Sequence, residues 1–470
     1  MAEKVVVRVP PSPTGKLHIG TARTMLFNYL FAKQHGGTIL FRSEDTDTER
    51  SKREYEKDII SGLAWLGLAF DIETIYRQSE QTDTYERYIH KLLDGGHAYI
   101  SKDKILGPNE PDERKPGFRS SEIRSEVIRF RNPNVKITFE DLVHGEITFD
   151  TTELKDFVIA KSLHEPLYHL AVVVDDIETG ITHVIRGDDH ISNTPRHILI
   201  QEALGAPRPI YAHIPLILMP DRSKMSKRKH GEAVSVGYYR ERGYLPEAII
   251  NFLALLGWNP GRTRTNAELT RNHAEKEQEI FSLTELISAF DIKKVQKAGA
   301  IFNPEKLDWF NKHYIQKMSP DAQKTFVRNF LPERLRNKNI EPLVPIILDR
   351  IEKGSDVAEM AEAGELDYFF EAPLPSRELL LGKTDNKWEK LLKHIDNILE
   401  LLSNITPAEF TAEKIKDALW DYASEQGRGN VLWPLRVALT GKEKSPDPFT
   451  VASIIGKEET ISRLNHVKSL

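Results

Sequence analysis

The sequence predicts an α/β protein in which two separated stretches of chain build one parallel sheet, followed by a helical C-terminal part. Three observations lead to this fold class. The first seventy residues show a β-α-β pattern, residues from about 167 to 218 show a second alternation, and helical patterns dominate after about residue 240. About ninety residues of different texture separate the two α/β stretches, and we expect them to form an insertion domain.

The first stretch begins with a strand, turns sharply and enters a helix. Val5 to Val9 is a short apolar run, and residues 10–15 form a turn rich in proline and glycine. The helix begins near Ile19 and stops at Gly36-Gly37, a common C-terminal signal. Thr38 to Arg42 is the next strand, which we expect to lie parallel to the first. The predicted apolar face of the helix comprises Ala22, Met25, Leu26, Tyr29 and Leu30.

The second stretch is predicted to supply further strands. Leu170 to Val174 and Ile181 to Ile185 have the apolar character of buried strands. Thr194 as N-cap and Pro195 at the first helical position then open a helix. Ile214 to Leu218 is a further strand, and it leads into a lysine-rich loop.

The insertion and the C-terminal part have different patterns. Val135 to Phe139 alternates like a strand within the insertion. Ser282 with Glu285, and Thr406 with Glu409, fit capping boxes that would begin helices. One apolar stripe, expected to be core, comprises Leu392, Ile395, Leu399 and Leu402.

Composition excludes several classes of function. The 470 residues are 40% hydrophobic and 29% charged, as in ordinary soluble proteins, and suggest about three domains. Cysteine is absent, which removes disulfides, thiol catalysis and cysteine-ligated zinc. No run of eighteen apolar residues is present, and the N-terminus lacks the pattern of a signal or transit peptide. We expect a cytoplasmic protein with no membrane partner.

The net charge says little about whether the protein binds nucleic acid. The formal charge is −5, which is unusual for binding nucleic acid, but local cationic clusters can outweigh the total. Two such clusters are Lys224 to Lys229 and Arg114 to Arg131. A solvated surface is the alternative explanation for each.

Charged residues stand at the carboxyl ends of predicted strands. Arg8 closes the first strand, Glu44 follows the second, and Arg186 ends a strand of the second stretch. Ligands of parallel sheets bind at this edge. Arginines there would suit a substrate with more than one carboxylate, and Glu44 would suit its ammonium group. A purely structural Arg–Glu pair is the alternative.

Two segments are suited to a nucleotide triphosphate. Gly15, His18 and Gly20 lie where the loop enters the first helix, so backbone can approach a nucleotide and the helix N-terminus can face phosphate. The lysine-rich loop around Lys224 and Lys227 could stabilise charge at a phosphorus under attack, with Mg²⁺ sharing that work. A surface histidine and a basic surface loop are the simpler alternatives.

The sequence does not match three other well-known motifs. The sequence has no GxxxxGK[ST] and no GxGxxG after a strand. The segment HEPLYH places its second histidine one position too far for a zinc protease helix, and Pro166 would break that helix. We exclude a metalloprotease.

Four segments in order closely resemble bacterial-type glutamyl-tRNA synthetase, a class I aminoacyl-tRNA synthetase. They are RVPPSPTGKLHIGTAR, FRSEDTDTERS, HVIRGDDHISNTPRH and SKMSKRKHG, and the similarity continues through GYLPEAIINFLALLGW, FNPEKLDWFNKHYI and PLRVALTG. It covers nearly the whole chain and is weakest over residues 102–130. The resemblance implies that ATP activates L-glutamate to glutamyl-adenylate, which is then transferred to the terminal ribose of tRNA(Glu).

The resemblance also implies roles for individual residues. The catalytic set is His18, Gly20, Lys224 and Lys227. The ATP-binding set is Pro11, Thr14, Gly15, His18, Gly20, Thr21, Met225, Ser226, Lys227 and Arg228. The glutamate-binding set is Arg8, Pro10, Ser12, Glu44, Tyr168 and Arg186. Glutamine would leave the cationic part of this pocket unpaired, at a cost on the order of several kcal/mol.

The implied fold is a split Rossmann-like parallel sheet with an α+β insertion domain, followed by all-α C-terminal anticodon-binding domains. The two catalytic halves would be residues 1–75 and 167–220, the acceptor-binding insertion 76–166, the stem-contact region with the KMSKR segment 221–305, and the anticodon-binding domains 306–375 and 376–470. ATP would be a substrate with Mg²⁺. The partners would be tRNA(Glu), with tRNA(Gln) as a second candidate, and the protein would be a monomer.

Some positions depart from the family pattern. Pro10 stands where alanine is usual, Ser43 where isoleucine is usual, and Val172 where some members have asparagine. The insertion lacks the cysteines with which some members bind zinc, so we expect no zinc and no other protein-bound metal. It also looks shortened after Tyr99, which leaves its contact with the acceptor stem open.

Two related enzymes and one non-catalytic function are alternatives to this interpretation. A glutaminyl-tRNA synthetase would lack the helical C-terminal part, and a truncated enzyme that glutamylates a modified tRNA base would lack any such part. Residues beyond 306 argue against both. A non-catalytic tRNA-binding paralogue would have no reason to keep His18, Gly20, Lys224 and Lys227.

Overall fold

The computed structural model describes residues 4–47, 49–70, 75–104, 124–260, 278–382, 384 and 387–470. They form two compact units, one reaching Phe310 and one comprising Asn311–Leu470. Much of the basic stretch from Arg114 to Arg131 lies outside the described residues. None of the helices in the described ranges is long and apolar enough to cross a membrane.

The first unit contains both strands and helices. Its strands are β1 Val6–Val9, β2 Thr38–Ser43, β3 Tyr76–Arg77, β4 Ala98–Lys104, β5 Arg124–Phe130, β6 Lys136–Asp141, β7 Gly145–Asp150, β8 Phe157–Ser162, β9 Glu165–Pro166, β10 His183–Gly187, β11 Ile210–Ile214, β12 Ile217–Leu218 and β13 Ala300–Ile301. Its helices are α1 Ile19–Gln34, α2 Arg53–Trp65, α3 Thr82–Asp94, α4 Tyr168–Glu178, α5 Thr194–Ala203, α6 Lys227–His230, α7 Val236–Glu241, α8 Pro246–Leu255 and α9 Leu283–Ala289. The class of fold predicted from the sequence is therefore confirmed.

The two α/β stretches meet edge to edge. β1 and β2 are parallel within a sheet of order β1-β2-β3, and β10 and β11 are parallel within a sheet of order β10-β11-β6-β7. The N–H of Thr182, just before β10, donates to the carbonyl of Val6 in β1 at 3.0 Å. The predicted parallel pairing is confirmed, but the single sheet becomes two sheets joined through this hydrogen bond.

The hairpin of β6 and β7 belongs to the second of these sheets. The two strands are antiparallel, and Asp141 of β6 pairs in parallel with Tyr211 of β11. This hairpin lies within the stretch predicted to be an insertion, so part of that stretch extends the β10–β11 sheet. The rest forms a separate antiparallel sheet of order β4-β5-β8-β9. The exact domain boundaries stay predictions.

Helix α1 begins at Ile19, as predicted, and the chain leaves it at Gly36, whose φ of 61° favours glycine. The helix packs against β1, β2, β10, α8 and α9. The buried surface of α1 is therefore wider than the predicted apolar face, and it includes Arg23 and Asn28.

The predicted strand at Leu170 to Val174 is wrong, because these residues lie in helix α4. Every one of them is buried, so this segment of the helix has no polar side. A short, continuously apolar run does not distinguish a buried strand from a buried helix. The further strand predicted at Ile214 to Leu218 is in fact divided between the end of β11 and β12.

The predicted helix caps have mixed outcomes. Ser282 and Glu285 form a capping box at α9, as predicted. Thr194 is the first residue of α5 rather than its N-cap, which is Asn193. The Thr406 hydroxyl does bond Glu409 at 2.7 Å, but this pair opens only a short 3₁₀ turn.

The second unit is helical. Helix α10, Pro304–Gln316, contains the boundary between the units. The helices that follow are α11 Pro320–Phe330, α12 Glu333–Arg336, α13 Val344–Arg350, α14 Gly354–Glu362, α15 Arg377–Leu381, α16 Trp388–Ser403, α17 Ala412–Gln426, α18 Arg428–Thr440, α19 Pro448–Ile455 and α20 Lys457–Ser469. In α16 the predicted stripe is partly right, because Ile395 and Leu402 are core residues whereas Leu392 and Leu399 are only half-buried.

Gly37→Ala should destabilise the start of the β1–β2 pair. A Cβ at Gly37 would lie 2.5 Å from the carbonyl oxygen of Val5, which accepts the N–H of Thr38 at 2.9 Å. The backbone must shift to relieve this overlap, so we expect the free energy of unfolding to fall by about 2 kcal/mol. Urea unfolding followed by circular dichroism measures the change.

Gly237→Ala is the matched control for that variant. Gly237 lies in helix α7, and a Cβ there meets no atom within 4 Å. Alanine favours helix, so stability should stay unchanged or rise by up to about 1 kcal/mol. Equal loss of stability in both variants would contradict the steric argument.

Candidate active site

A cavity lies where the loop after β1 meets the segment around α6. Its volume is about 290 Å³, and both His18 and Lys227 line it. The N–H of Val236 donates to the carbonyl of Leu17 at 2.9 Å, which ties the two segments together. Two predicted halves of one nucleotide site, two hundred residues apart in sequence, therefore share one cavity.

A second cavity of about 420 Å³ shares lining residues with the first. The residues common to both are Pro11, Ser12, His18 and Thr21. Of the other predicted site residues, Thr14, Gly15 and Lys227 line the first cavity, and Pro10, Gly20, Arg186, Lys224 and Met225 line the second. Arg8, Glu44, Tyr168 and Ser226 line neither cavity. The side chain of Arg228 is outside the described part of the structure.

His18 is oriented by the helix that it caps. Its Nδ1 accepts the backbone N–H of Gly20 at 2.9 Å, so Nε2 is the nitrogen that carries the proton in the neutral ring. Burial, and next the charge of Lys224, lower the pKa of His18. A neutral imidazole with one N–H is thus available as a donor. A Cβ at Gly20 would lie 3.1 Å from Nδ1, which explains why a glycine suits that position.

The lysines after β12 each contact a carboxylate. Lys224 lies 2.9 Å from Asp189, and Lys227 lies 3.3 Å from Glu232. The Lys227 side chain is 62% exposed. Exposed ion pairs contribute little free energy, so an incoming triphosphate can replace these partners at small cost.

Buried charges meet behind the loop, at the carboxyl ends of β1 and β2. Arg8 Nε lies 3.2 Å from Asp176, and Arg42 Nη1 lies 2.5 Å from the same carboxylate. Arg42 Nη2 lies 3.2 Å from Glu44. Arg8 and Glu44 are therefore not a direct structural pair, which was the alternative left open by the sequence. Arg8 Nη1 is buried and has no hydrogen-bond partner among the described residues.

This network shifts the pKa values of its members. Burial raises the pKa of Glu44, and the charges of Arg42 and Arg8 oppose that rise. Burial alone would lower the pKa of Arg42, but the neighbouring carboxylates, Asp176 first, raise it above its ordinary value. Burial would raise the pKa of Asp176, but Arg8 and Arg42 hold it below its ordinary value. Arg42 and Asp176 thus stabilise each other's charged forms, whereas at Glu44 burial outweighs the neighbouring cations.

Arg186 approaches the second cavity from β10 and is 6% exposed. Its Nε donates to His213 at 3.1 Å, and its Nη2 donates to Thr194 at 2.8 Å. Burial lowers its pKa, and the charge of Arg8 acts in the same direction, as expected for two cations in one region. The Tyr168 hydroxyl lies 3.1 Å from His190 Nδ1, and burial, followed by the charge of Glu44, raises the pKa of Tyr168 to about 12.

Sequence reasoning missed several of these residues. Arg42 and Asp176 bind each other across 134 positions, so no local pattern connects them. Asp175 accepts hydrogen bonds from Tyr76 and Tyr85 at 3.0 and 2.8 Å. The available signal was two adjacent aspartates inside an otherwise apolar run. Within the described ranges, no group of three or more potential ligands is arranged to hold a metal ion.

Comparison with known proteins defines the class of the chain. A family model described as tRNA synthetases class I (E and Q), catalytic domain, matches residues 4–106 and 109–309. A model described as Anticodon binding domain matches residues 306–468. The chain therefore belongs to the class I tRNA synthetases (E and Q), as its motifs predicted.

Individual relatives match over nearly their whole length. The Glutamate--tRNA ligase of Aquifex aeolicus is 40% identical over 490 residues, covering 99% of this chain and 98% of that protein. The Glutamate--tRNA ligase of Syntrophobacter fumaroxidans is 37% identical over 488 residues, covering 99% and 98%. A crystal structure of a glutamate tRNA ligase from Elizabethkingia meningosepticum in complex with its amino acid aligns with a TM-score of 0.82 at 34% identity, covering 99% of both chains.

Arg42→Ala should destabilise the first unit strongly. The substitution leaves the Asp175 and Asp176 carboxylates buried with less opposing charge. Breaking a buried ion pair in this way costs about 3 kcal/mol or more. Urea unfolding at pH 7 measures the loss.

The comparison variant is Arg50→Ala. Arg50 also pairs with an aspartate, Asp47, but its side chain is 75% exposed. We expect a change of less than about 1 kcal/mol, because surface ion pairs contribute little. Similar losses in the two variants would show that burial does not set the strength of the Arg42 network.

Proposed function

We propose that the chain is a glutamate–tRNA ligase. It would activate L-glutamate with ATP to glutamyl-adenylate and transfer the glutamyl group to the 3′ end of tRNA(Glu), releasing AMP and diphosphate. The observation that carries this proposal is the cavity shared by His18 and Lys227, beside buried arginines suited to an acidic amino acid. The names of the full-length relatives support the same reaction.

In the first step, a carboxylate oxygen of glutamate attacks the α-phosphorus of ATP. The bond from that phosphorus to the oxygen bridging to the β-phosphorus breaks, and diphosphate leaves with the electron pair. Negative charge is spread over the phosphates in the transition state, and fixed N–H donors and cations stabilise it. His18 Nε2–H, Lys224 and Lys227 are the groups on this chain that fit the task.

Lys227 can exchange its carboxylate partner for the phosphates of ATP. Its contact with Glu232 is exposed, so phosphate oxygens can take the place of that carboxylate. Mg²⁺ bound to ATP would neutralise phosphate charge, and the described residues offer no cluster of ligands for a separate protein-bound ion.

Glutamate would bind between the buried arginines and Glu44. Arg8 has an unpaired buried Nη1, which suits a carboxylate oxygen of the substrate. Glu44 would accept the ammonium group, whose charge offsets the burial of that carboxylate. Arg186, with Tyr168 nearby, would take the other carboxylate. Glutamine would leave a buried cation unmatched, which disfavours it.

In the second step, a ribose hydroxyl of the tRNA 3′ end attacks the carbonyl carbon of the adenylate, and AMP leaves. Residues 76–166 would contact the acceptor end, 221–305 the stem, and 306–375 and 376–470 the anticodon. We propose that the enzyme works as a monomer in the cytoplasm. Aminoacylation assays with purified tRNA(Glu) and tRNA(Gln), each with glutamate or glutamine and without added zinc, test the proposal directly. Glutamylation of tRNA(Glu) is expected, and its absence would refute the function.

Lys227→Ala should slow adenylate formation without weakening tRNA binding. Loss of one transition-state cation is expected to lower the rate constant by about 100-fold. Single-turnover adenylate formation with tRNA present gives the rate constant, and filter binding gives the dissociation constant for tRNA. Lys229→Ala is the control, because Lys229 pairs with Asp221 and lines neither cavity. An unchanged rate constant for Lys227→Ala would remove the residue from the mechanism.

Arg186→Ala should act on glutamate selectively. Loss of a hydrogen-bonded ion pair to substrate is expected to raise KM for glutamate by about 10- to 100-fold. The KM for ATP should stay within about two-fold. Arg208→Ala is the control, because Arg208 is an exposed arginine paired with Glu202. An equal rise in both KM values for Arg186→Ala would show that Arg186 does not contact glutamate.

A further inference from the structure

Arg186 differs from Arg8 and Arg42 in the charge of its partners. Arg8 and Arg42 both contact the Asp176 carboxylate directly. The side chains that accept hydrogen bonds from Arg186 are those of His213, His197 and Thr194. These partners orient the guanidinium without cancelling its charge.

The protonation of His213 follows from this contact. A guanidinium has only donors, so Nε2 of His213 must accept the Arg186 Nε–H. The proton of the neutral ring is then on Nδ1, which lies 2.7 Å from Asp141 Oδ2 and donates to it. Burial lowers the pKa of His213 to about 4, although Asp141 opposes the shift, so the ring is neutral at pH 7.

Each oxygen of the Asp141 carboxylate accepts two hydrogen bonds. Its Oδ1 accepts the backbone N–H groups of Val143 and His144, each at 2.9 Å. Its Oδ2 accepts the backbone N–H of His213 at 3.0 Å together with the ring Nδ1–H. Both oxygens are thus fixed by main chain, and the orientation of the His213 ring is fixed with them.

We propose that His213 is a positioning residue that sets the affinity for glutamate by holding Arg186 in its binding orientation. Asp141 fixes the tautomer and the plane of His213, and His213 fixes the Nε–H side of the guanidinium. Nη2 donates to Thr194 and one N–H of Nη1 donates to His197, so the second N–H of Nη1 is available to the substrate in one orientation. Little of the binding free energy is then spent on ordering the side chain. This inference rests on the proposed function, because it assumes that Arg186 binds glutamate.

The arrangement also holds the Arg186 guanidinium in place without neutralising its charge. A carboxylate touching Arg186 would compete with the substrate carboxylate for the same cation. Placing the neutral imidazole between Asp141 and Arg186 keeps the negative charge one side chain away. His197 serves in the same sense, because its Nδ1 accepts from Nη1 of Arg186 at 3.1 Å.

Two substitutions of His213 separate its two hydrogen bonds. The amide nitrogen of His213→Asn matches Nδ1 in distance from Cβ, so it can still donate to Asp141 but leaves the Arg186 Nε–H without its acceptor. The amide oxygen of His213→Gln matches Nε2, so it can accept from Arg186 while the bond to Asp141 is lost. If His213 positions Arg186, the first variant should raise KM for glutamate by at least about 10-fold and the second by less than about three-fold.

The assay is aminoacylation of tRNA(Glu) by the full-length enzyme, with KM measured for glutamate and for ATP and with kcat recorded. The KM for ATP should stay within about two-fold in both variants, and urea unfolding reports any loss of stability separately. His394→Asn is the matched control, because His394 is a buried histidine of the second unit that bonds Tyr422 through Nδ1 at 2.7 Å. It should leave KM for glutamate unchanged.

Three results would overturn the positioning role. The first is equal KM for glutamate in His213→Asn and His213→Gln, and the second is a parallel rise in the KM values for glutamate and ATP. If His213→Asn does not fold, a folded His213→Gln with KM for glutamate raised 10-fold or more would be the third. Wild-type enzyme that fails to glutamylate tRNA(Glu) would instead refute the proposed function, so the two failures are distinguishable.

Discussion

The burial of opposite charges at the carboxyl ends of β1 and β2 is the constraint on which the site depends. Arg42 keeps its charge in the interior because Asp176, Glu44 and Asp175 surround it, and the pKa of Asp176 stays low because Arg8 and Arg42 contact it. The ends of two strands and helix α4 are fixed by this mutual requirement. The loop that leaves β1 therefore starts from a rigid position, and the cavity lined by His18 begins a few residues later.

Local patterns were sufficient to predict the parts of the site that lie on loops and helix ends. The glycine-bounded helix α1 and its start at Ile19 follow from turn and helix-end chemistry, which acts over a few residues. The lysine-rich segment was recognised because its charge density is visible without a structure. The pairing of β1 with β2 followed from the short crossover between them.

The remaining features depend on contacts between distant residues, which no local pattern records. The α4 segment was assigned to a strand because burial on all sides removes the polar stripe that identifies a helix. Arg42 occupies an ordinary position in a strand, and its importance appears only when Asp175 and Asp176 arrive from α4. The histidine arrangement around Arg186 likewise assembles residues from different elements, and each histidine alone looks unremarkable in the sequence.

The β6–β7 hairpin is joined to β11 by a very short stretch of strand pairing. One residue pair, Asp141 with Tyr211, forms the ladder, and the carboxylate of Asp141 takes the N–H of His213 where a longer ladder would use main chain. Removing residues 76–166 would therefore expose an edge of the β10–β11 sheet. It would also leave the buried Nδ1–H of His213 without its acceptor, Asp141. The hairpin is thus part of the β10–β11 sheet, and the separate sheet of β4, β5, β8 and β9 is smaller than the interruption seen along the chain.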